Sequence, residues 1–261
     1  MRTKITVPQL RAMREKGQRI VCVTAYDAVL GAMADESGAD VVLVGDSVGN
    51  VLLGYPTTVP VTLEDMVHHT RATRAGVKRA LLVSDLPFGA YEVSTSLAVQ
   101  AAVALMKAGA EAVKLEGDYP EVVAACVRAG IPVMGHLGMT PQSVNVFGGH
   151  RVQGKGSEGD AILATARRLE EAGAFGFVLE LIPAELASRI TESLSAPTIG
   201  IGAGAGCTGQ IQVMHDVLGL STETFRHAKA FVHGRECLLD GLRGYVDAVR
   251  SGEFPGPENS F

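Results

Sequence analysis

Residues 108–118 read AGAEAVKLEGD, a glycine followed by a short run that alternates like a strand and ends in Lys114 and Glu116. Side chains alternate along a strand, so Ala112, Lys114 and Glu116 share one face while Val113 and Leu115 share the other. Two charges closing one face need a reason, and the same grammar recurs along the chain. ESGADVVLVGDS (36–47), RAGVKRALLVSD (74–85), RAGIPVMGHLG (128–138) and EAGAFGFVLE (171–180) each run from a helix end through glycine to an apolar strand and a polar ending. Gly38, Gly76, Gly109, Gly130 and Gly173 stand where the residue after a helix takes a left-handed conformation.

Helix starts precede these segments: Thr62 followed by Asp65, Ser94 and Thr95 before an alanine-rich run, Pro120, and Pro183 at a first-turn position. Strand then helix, many times over, means a parallel sheet. RIVCVTAYD near the start, APTIGIG at 196–202 and IQVMHD at 211–216 bring the strands to eight, in the length a (β/α)8 TIM barrel uses. HAKAFV at 227–232 competes for the eighth place, and an open doubly wound sheet is the alternative fold. A first helix, Pro8 to Lys16, is expected to cap the barrel bottom. No linker divides the chain, so residues 1–261 read as one domain. Two connections, Ser47 to Pro60 and Leu137 to Gly159, are long enough to expect function in them.

Composition narrows the class. The chain has 261 residues, 47% of them hydrophobic and 20% charged, with a formal charge of -5. That supports one large core and gives no basic surface for nucleic acid or an anionic membrane. Cys22, Cys126, Cys207 and Cys237 form no C-x-x-C pair and read as thiols of a reducing cytosol. The N-terminus lacks an apolar signal core, so a soluble, cytoplasmic protein is expected.

Active sites of parallel barrels lie at the C-terminal ends of the strands. Here those ends carry Asp46, Asp85, Lys114 with Glu116, His136 and Glu180. Lys114 and Glu116 therefore point inward, into a site. Each acid taken singly could instead cap the next helix. Several carboxylates in one place repel unless protonated or metallated, and oxygen ligands on rigid strand ends suit Mg²⁺ better than Zn²⁺. Glu180 closes an apolar strand, where desolvation would raise its pKa towards a useful base, or it pairs with Lys114 or Arg151. Lys114 reads as an ammonium that stabilises developing negative charge. His136 hydrogen-bonds the substrate or a carboxylate, or is a structural histidine. His68 and His69 are assigned to structure. Ser47 either offers its hydroxyl to a substrate carboxylate or caps a helix. GIGAGA, 200–205, fits a dinucleotide fingerprint only literally and reads as a close-approach loop at the barrel mouth.

VTAYDA, VGDSVGNVLLGYPTTVPVT, SDLPFGAYE, AVKLEG, GHLGMTPQSVNVFGGHRVQGKG, FVLELIPAELA and IGIGAGAGCTGQIQVMHD, in order from Thr24 to Asp216, resemble the ketopantoate hydroxymethyltransferases. Pro56 stands where the family often has Asp, and the likeness thins after Leu220 before returning at GEFPGPENSF. The resemblance implies a (β/α)8 barrel using Mg²⁺, assembled as a homodecamer. It also implies transfer of a one-carbon unit from 5,10-methylenetetrahydrofolate to 3-methyl-2-oxobutanoate in pantothenate synthesis. By the same resemblance Asp46, Asp85 and Glu116 match the metal positions, Asp46, Ser47, Asp85 and Lys114 the ketoacid site, and Glu180 the catalytic base. The alternatives are a Mg²⁺-dependent C–C bond enzyme of the phosphoenolpyruvate mutase and isocitrate lyase type, and a barrel that only binds a ligand.

Overall fold

A computed structural model describes residues 3–223 and 225–261. The chain divides into two compact units, Met1–Val213 and Met214–Phe261. The first holds eight parallel strands closed into a barrel in sequence order. They are β1 (Ile20–Thr24), β2 (Val41–Val44), β3 (Leu81–Asp85), β4 (Ala112–Glu116), β5 (Val133–Gly138), β6 (Gly176–Glu180), β7 (Thr198–Ile201) and β8 (Gly209–Gln212). Before β1 comes α1 (Val7–Glu15), and between the strands run α2 (Ala28–Ser37), α3 (Val48–Val51), α4 (Leu63–Gly76), α5 (Thr95–Ala108), α6 (Pro120–Arg128), α7 (Val144–Phe147), α8 (Glu158–Glu171) and α9 (Ala184–Ser193). The second unit carries α10 (Met214–Val217) and α11 (Gly234–Ser251).

The last strand starts two residues before the expected IQVMHD and stops at Gln212, since residues 214–217 are helical. The Gly209 amide edge pairs with both β1 and β7, and HAKAFV forms no strand. Among the described residues no helix is long and apolar enough to cross a membrane.

Inward parity follows from the register. Ile20, Cys22, Val41, Leu43, Leu81, Val83, Ala112, Met134, Val178, Ile199, Ile201 and Ile211 form one buried cluster inside the barrel. Stepping two residues on from Val83, Ala112, Met134 and Val178 reaches Asp85, Lys114, His136 and Glu180, and Glu116 follows Lys114 on the same face. An apolar plug thus fills the lower barrel, and the polar strand ends stand above it. Leu10 of α1 joins the bottom of the plug, with Ile5, Val7 and Met13 packed against it, as a capping helix should.

Two of the helix stop and start residues expected from sequence, Gly76 and Pro183, are placed differently. Thr62 and Asp65 form a capping box, and Ser94 accepts from the Leu97 N–H. Gly38, Gly109, Gly130 and Gly173 take positive φ at helix ends as expected. Gly76 does not: it is the last residue of α4, in helical conformation, and Val77 is the C-cap. A Cβ there would overlap the Ala28 carbonyl oxygen and lie 2.6 Å from the Ala32 N, so glycine is required by the close approach of α4 to α2. Pro183 stands at the N-cap of α9, one position outside the helix.

Candidate active site

Four adjacent strands bring the charges together. Asp85 is level with Lys114 across β3 and β4, Glu116 with His136 across β4 and β5, and Gly138 with Glu180 across β5 and β6. The Lys114 Nζ lies 2.8 Å from Asp85 Oδ1, 3.9 Å from Glu116 Oε1 and 3.1 Å from His136 Nδ1. His136 Nδ1 lies 3.2 Å from Glu116 Oε1, and its Nε2 lies 3.2 Å from Glu180 Oε2. Glu180 thus pairs with His136, rather than with Lys114 or Arg151. Asp85, Lys114, Glu116 and His136 are all buried, and Glu180 is partly open.

Asp46 follows β2 and is also buried. Its backbone N–H donates to Asp85 Oδ2 at 3.1 Å. Gly45 lets this happen, because a Cβ there would stand 2.8 Å from Ser47 Oγ and 3.5 Å from Asp85 Oδ2. Ser47 heads α3 without capping it, and its hydroxyl instead lies 2.8 Å from the buried Tyr26 hydroxyl. His69 Nδ1 lies 2.8 Å from the Tyr26 carbonyl oxygen, consistent with a structural role.

The protonation pattern reports a shortage of positive charge. Burial, then Asp85 and Glu116, raise the Asp46 carboxyl well above the usual range. Burial also raises Asp85, although Lys114 opposes it. For Glu116 burial is outweighed by His136, Lys114 and the Gln142 N–H, and its pKa falls. Burial and Lys114 push His136 down, but Glu116 and Glu180 more than offset them and hold it up at about 9. Burial would lower Lys114, yet Asp85, Glu116 and Asp46 raise it, so it stays an ammonium. A Schiff-base role for Lys114 is disfavoured on that ground.

Four carboxyl groups therefore face two cationic side chains, and a bound divalent cation would balance the difference. Asp85 Oδ1 and Glu116 Oε1 are buried and sit at ion-pair distance from their neighbours without a well-aligned hydrogen bond. Hard oxygen donors with spare lone pairs fit Mg²⁺, which needs only one or two carboxylates besides water and substrate oxygens. As the side chains stand, no group of three or more His, Cys, Asp or Glu among the described residues is placed to hold a metal ion. Lys114 stands between Asp85 and Glu116, and Asp46 takes the side-chain amide of Gln142.

Three residues escaped the sequence reading: Gln142, Tyr91 and Leu181. Gln142, in a 3-10 turn at Pro141–Ser143, reaches back into the site, where Tyr91 meets it. Leu181, directly after Glu180, has φ 45°, and among the described residues it is the one non-glycine with positive φ. Left-handed backbone costs a residue with a Cβ about 1–2 kcal/mol. Three bonds clamp it: Met139 N–H to Glu180 O at 2.8 Å, Leu181 N–H to Ile201 O at 2.9 Å and Gln153 N–H to Leu181 O at 2.9 Å. The TPQ turn was visible as sequence, but nothing in its pattern marked the glutamine, and Leu181 carried no signal.

Comparison with known proteins fits this geometry. The family model of ketopantoate hydroxymethyltransferase matches residues 4–257, past the region where the likeness had thinned. The chain belongs to the ketopantoate hydroxymethyltransferase family. As a member it is an enzyme, and its curated relatives align over nearly their full lengths. The 3-methyl-2-oxobutanoate hydroxymethyltransferase of Chloroflexus aurantiacus is 52% identical, covering 98% of this chain and 92% of the relative. That of Moorella thermoacetica is 52% identical over 100% and 98%. In fold the chain is similar to a phosphonopyruvate hydrolase solved with oxalate and Mg²⁺, with TM-score 0.63 and 13% identity over 98% of this chain and 93% of that one. A 2,3-dimethylmalate lyase of the PEP mutase/isocitrate lyase superfamily gives TM-score 0.60 and 15% identity, over 98% and 91%.

Proposed function

We propose that the chain transfers a hydroxymethyl unit from 5,10-methylenetetrahydrofolate to 3-methyl-2-oxobutanoate, giving 2-dehydropantoate for pantothenate synthesis. The observation that carries this reading is the run of paired side chains Asp85, Lys114, Glu116, His136 and Glu180 across four neighbouring strands, at the mouth of a barrel in this family. The names of the relatives and the charge deficit of the site support it.

Asp46, Asp85 and Glu116 would hold Mg²⁺. When bound, the cation withdraws charge from the ketoacid carbonyl and so acidifies the adjacent C3–H. Glu180, partly open to the mouth, takes the C3 proton. The His136 Nε2, 3.2 Å away, holds that carboxylate on the substrate side. The Lys114 ammonium stabilises the charge that develops on the substrate oxygen. Ser47 and the Asp46 loop receive the substrate carboxylate. C3 then bonds to the one-carbon unit. Ketoacid, methylenetetrahydrofolate and water become 2-dehydropantoate and tetrahydrofolate, with water supplying the new hydroxyl oxygen.

The family also leads us to infer a cytoplasmic homodecamer. An assay with 3-methyl-2-oxobutanoate and 5,10-methylenetetrahydrofolate, with and without Mg²⁺, tests the activity. Product that forms only with all three supports the reading, and a protein inert to the ketoacid in Mg²⁺ would refute it.

A further inference from the structure

Gln142 makes four hydrogen bonds inside the site. Its backbone N–H donates to Glu116 Oε2 at 3.0 Å. Its side-chain Nε2 donates to Asp46 Oδ2 at 2.8 Å and to the Leu86 carbonyl oxygen at 3.0 Å. Its Oε1 lies 2.7 Å from the Tyr91 hydroxyl. The side chain is 5% exposed, so no water replaces these partners cheaply.

The directions in this network are forced. The Leu86 carbonyl can only accept, so the NH₂ end of Gln142 must face it and Asp46. The Oε1 must then face Tyr91, whose hydroxyl is obliged to donate. The Tyr91 oxygen is free to accept the Glu116 N–H, 3.2 Å away, and that N–H can only donate. One residue thus joins the acid after β2, through its side-chain amide, to the acid that ends β4, through its backbone N–H, with Tyr91 fixing the orientation of the amide. Tyr91 is itself held edge-on against Tyr119, ring centroids 5.2 Å apart.

Resting on the function proposed above, we infer that Gln142 is a positioning residue, and that Tyr91 orients it. Together they set Asp46 against Glu116 and make the order of the turn after β5 part of cation and ketoacid binding. A residue that only filled space would contribute to stability and leave ligand affinity alone. Residues that orient metal-binding carboxylates typically change affinity by about 10–100-fold when removed.

The test uses the full-length protein, with calorimetric titration of Mg²⁺ and 3-methyl-2-oxobutanoate alongside steady-state kinetics. In Gln142→Ala the affinity for both should fall about tenfold or more, with KM raised and kcat within about twofold, because Glu180 is untouched. Tyr91→Phe keeps the ring and should shift affinity in the same direction by less. The double variant should be no worse than Gln142→Ala, since the two side chains act through one amide. Wild-type affinity in a folded Gln142→Ala protein, or additive losses in the double variant, would overturn the inference. If Gln142→Ala does not fold, Tyr91→Phe decides, and unchanged affinity there overturns it. Wild-type protein that fails to bind the ketoacid in Mg²⁺ would overturn the functional reading and this inference with it. Wild-type binding with unaffected variants would overturn this inference alone.

Discussion

Replacing Lys114 by Met removes one positive charge and keeps the length of the side chain. The ammonium lies 2.8 Å from Asp85 Oδ1 in a site only 3% exposed. At an effective dielectric constant near 20, that attraction is about 6 kcal/mol. The full amount will not appear as lost stability, because Asp85 can take a proton instead. Protonating a carboxylate whose unfolded pKa is about 3.9 costs about 1.4 kcal/mol per pH unit, or about 4 kcal/mol at pH 7 and about 1.5 at pH 5. The smaller figure sets the ceiling, so Lys114→Met should be destabilised by at most about 4 kcal/mol at pH 7. In the variant the folded pKa of Asp85 lies above the unfolded value, so the folded state binds the extra proton. Stability relative to wild type should therefore improve as pH falls, by at most about 1.4 kcal/mol per unit between pH 7 and 5, and by less where the wild-type Asp85, itself raised by burial, also takes up its proton. Urea denaturation of both proteins at pH 5, 6 and 7, at one protein concentration, measures it. A deficit independent of pH would refute the argument, because it would mean that Lys114 serves as packing rather than as the counter-ion of Asp85.

Glu180→Gln should bind ketoacid with near-wild-type affinity while its proton abstraction falls about 10²-fold or more, followed by C3 exchange in D₂O. Near-normal exchange would move the base role to another group, with His136 the next candidate. Gly76→Ala should lose about 1–3 kcal/mol in a denaturation series despite alanine's better helix propensity, since its Cβ meets the backbone of α2. A more stable variant would refute the close-packing account. Asp35 accepts the backbone N–H groups of Lys78 at 3.1 Å, Arg79 at 2.9 Å and Ala80 at 2.6 Å, and these outweigh burial and lower its pKa. Its contribution should be complete above about pH 4 and fade as pH falls through the depressed value. In denaturation at pH 6 and pH 3, the gap between wild type and Asp35→Asn should be smaller at the lower pH.

What the sequence made legible was whatever local rules decide. Period-two alternation and helix-stop glycines located the strands, and the same alternation put Asp85, Lys114, Glu116, His136 and Glu180 on the inner face. What it hid depends on neighbours distant in the chain. Gly76 obeys the spacing of α2 and α4, and its glycine looks the same in sequence as those that end helices. Gln142 meets Asp46 across 96 residues, a distance over which no periodicity carries information. Leu181 is held left-handed by bonds from Met139, Gln153 and Ile201, against its own preference. The eighth strand was blurred because residues 211–212 and 214–217 belong to different elements although they read as one apolar run.

The central claim is that a cation held by the strand-end carboxylates and the base Glu180 together suffice to labilise the ketoacid. Proton NMR of 3-methyl-2-oxobutanoate with wild-type protein in D₂O, without folate, tests it directly. The account predicts loss of the C3 proton signal with Mg²⁺ and none after chelation of the metal. Exchange that is absent with Mg²⁺, or that continues unchanged after chelation, would contradict it.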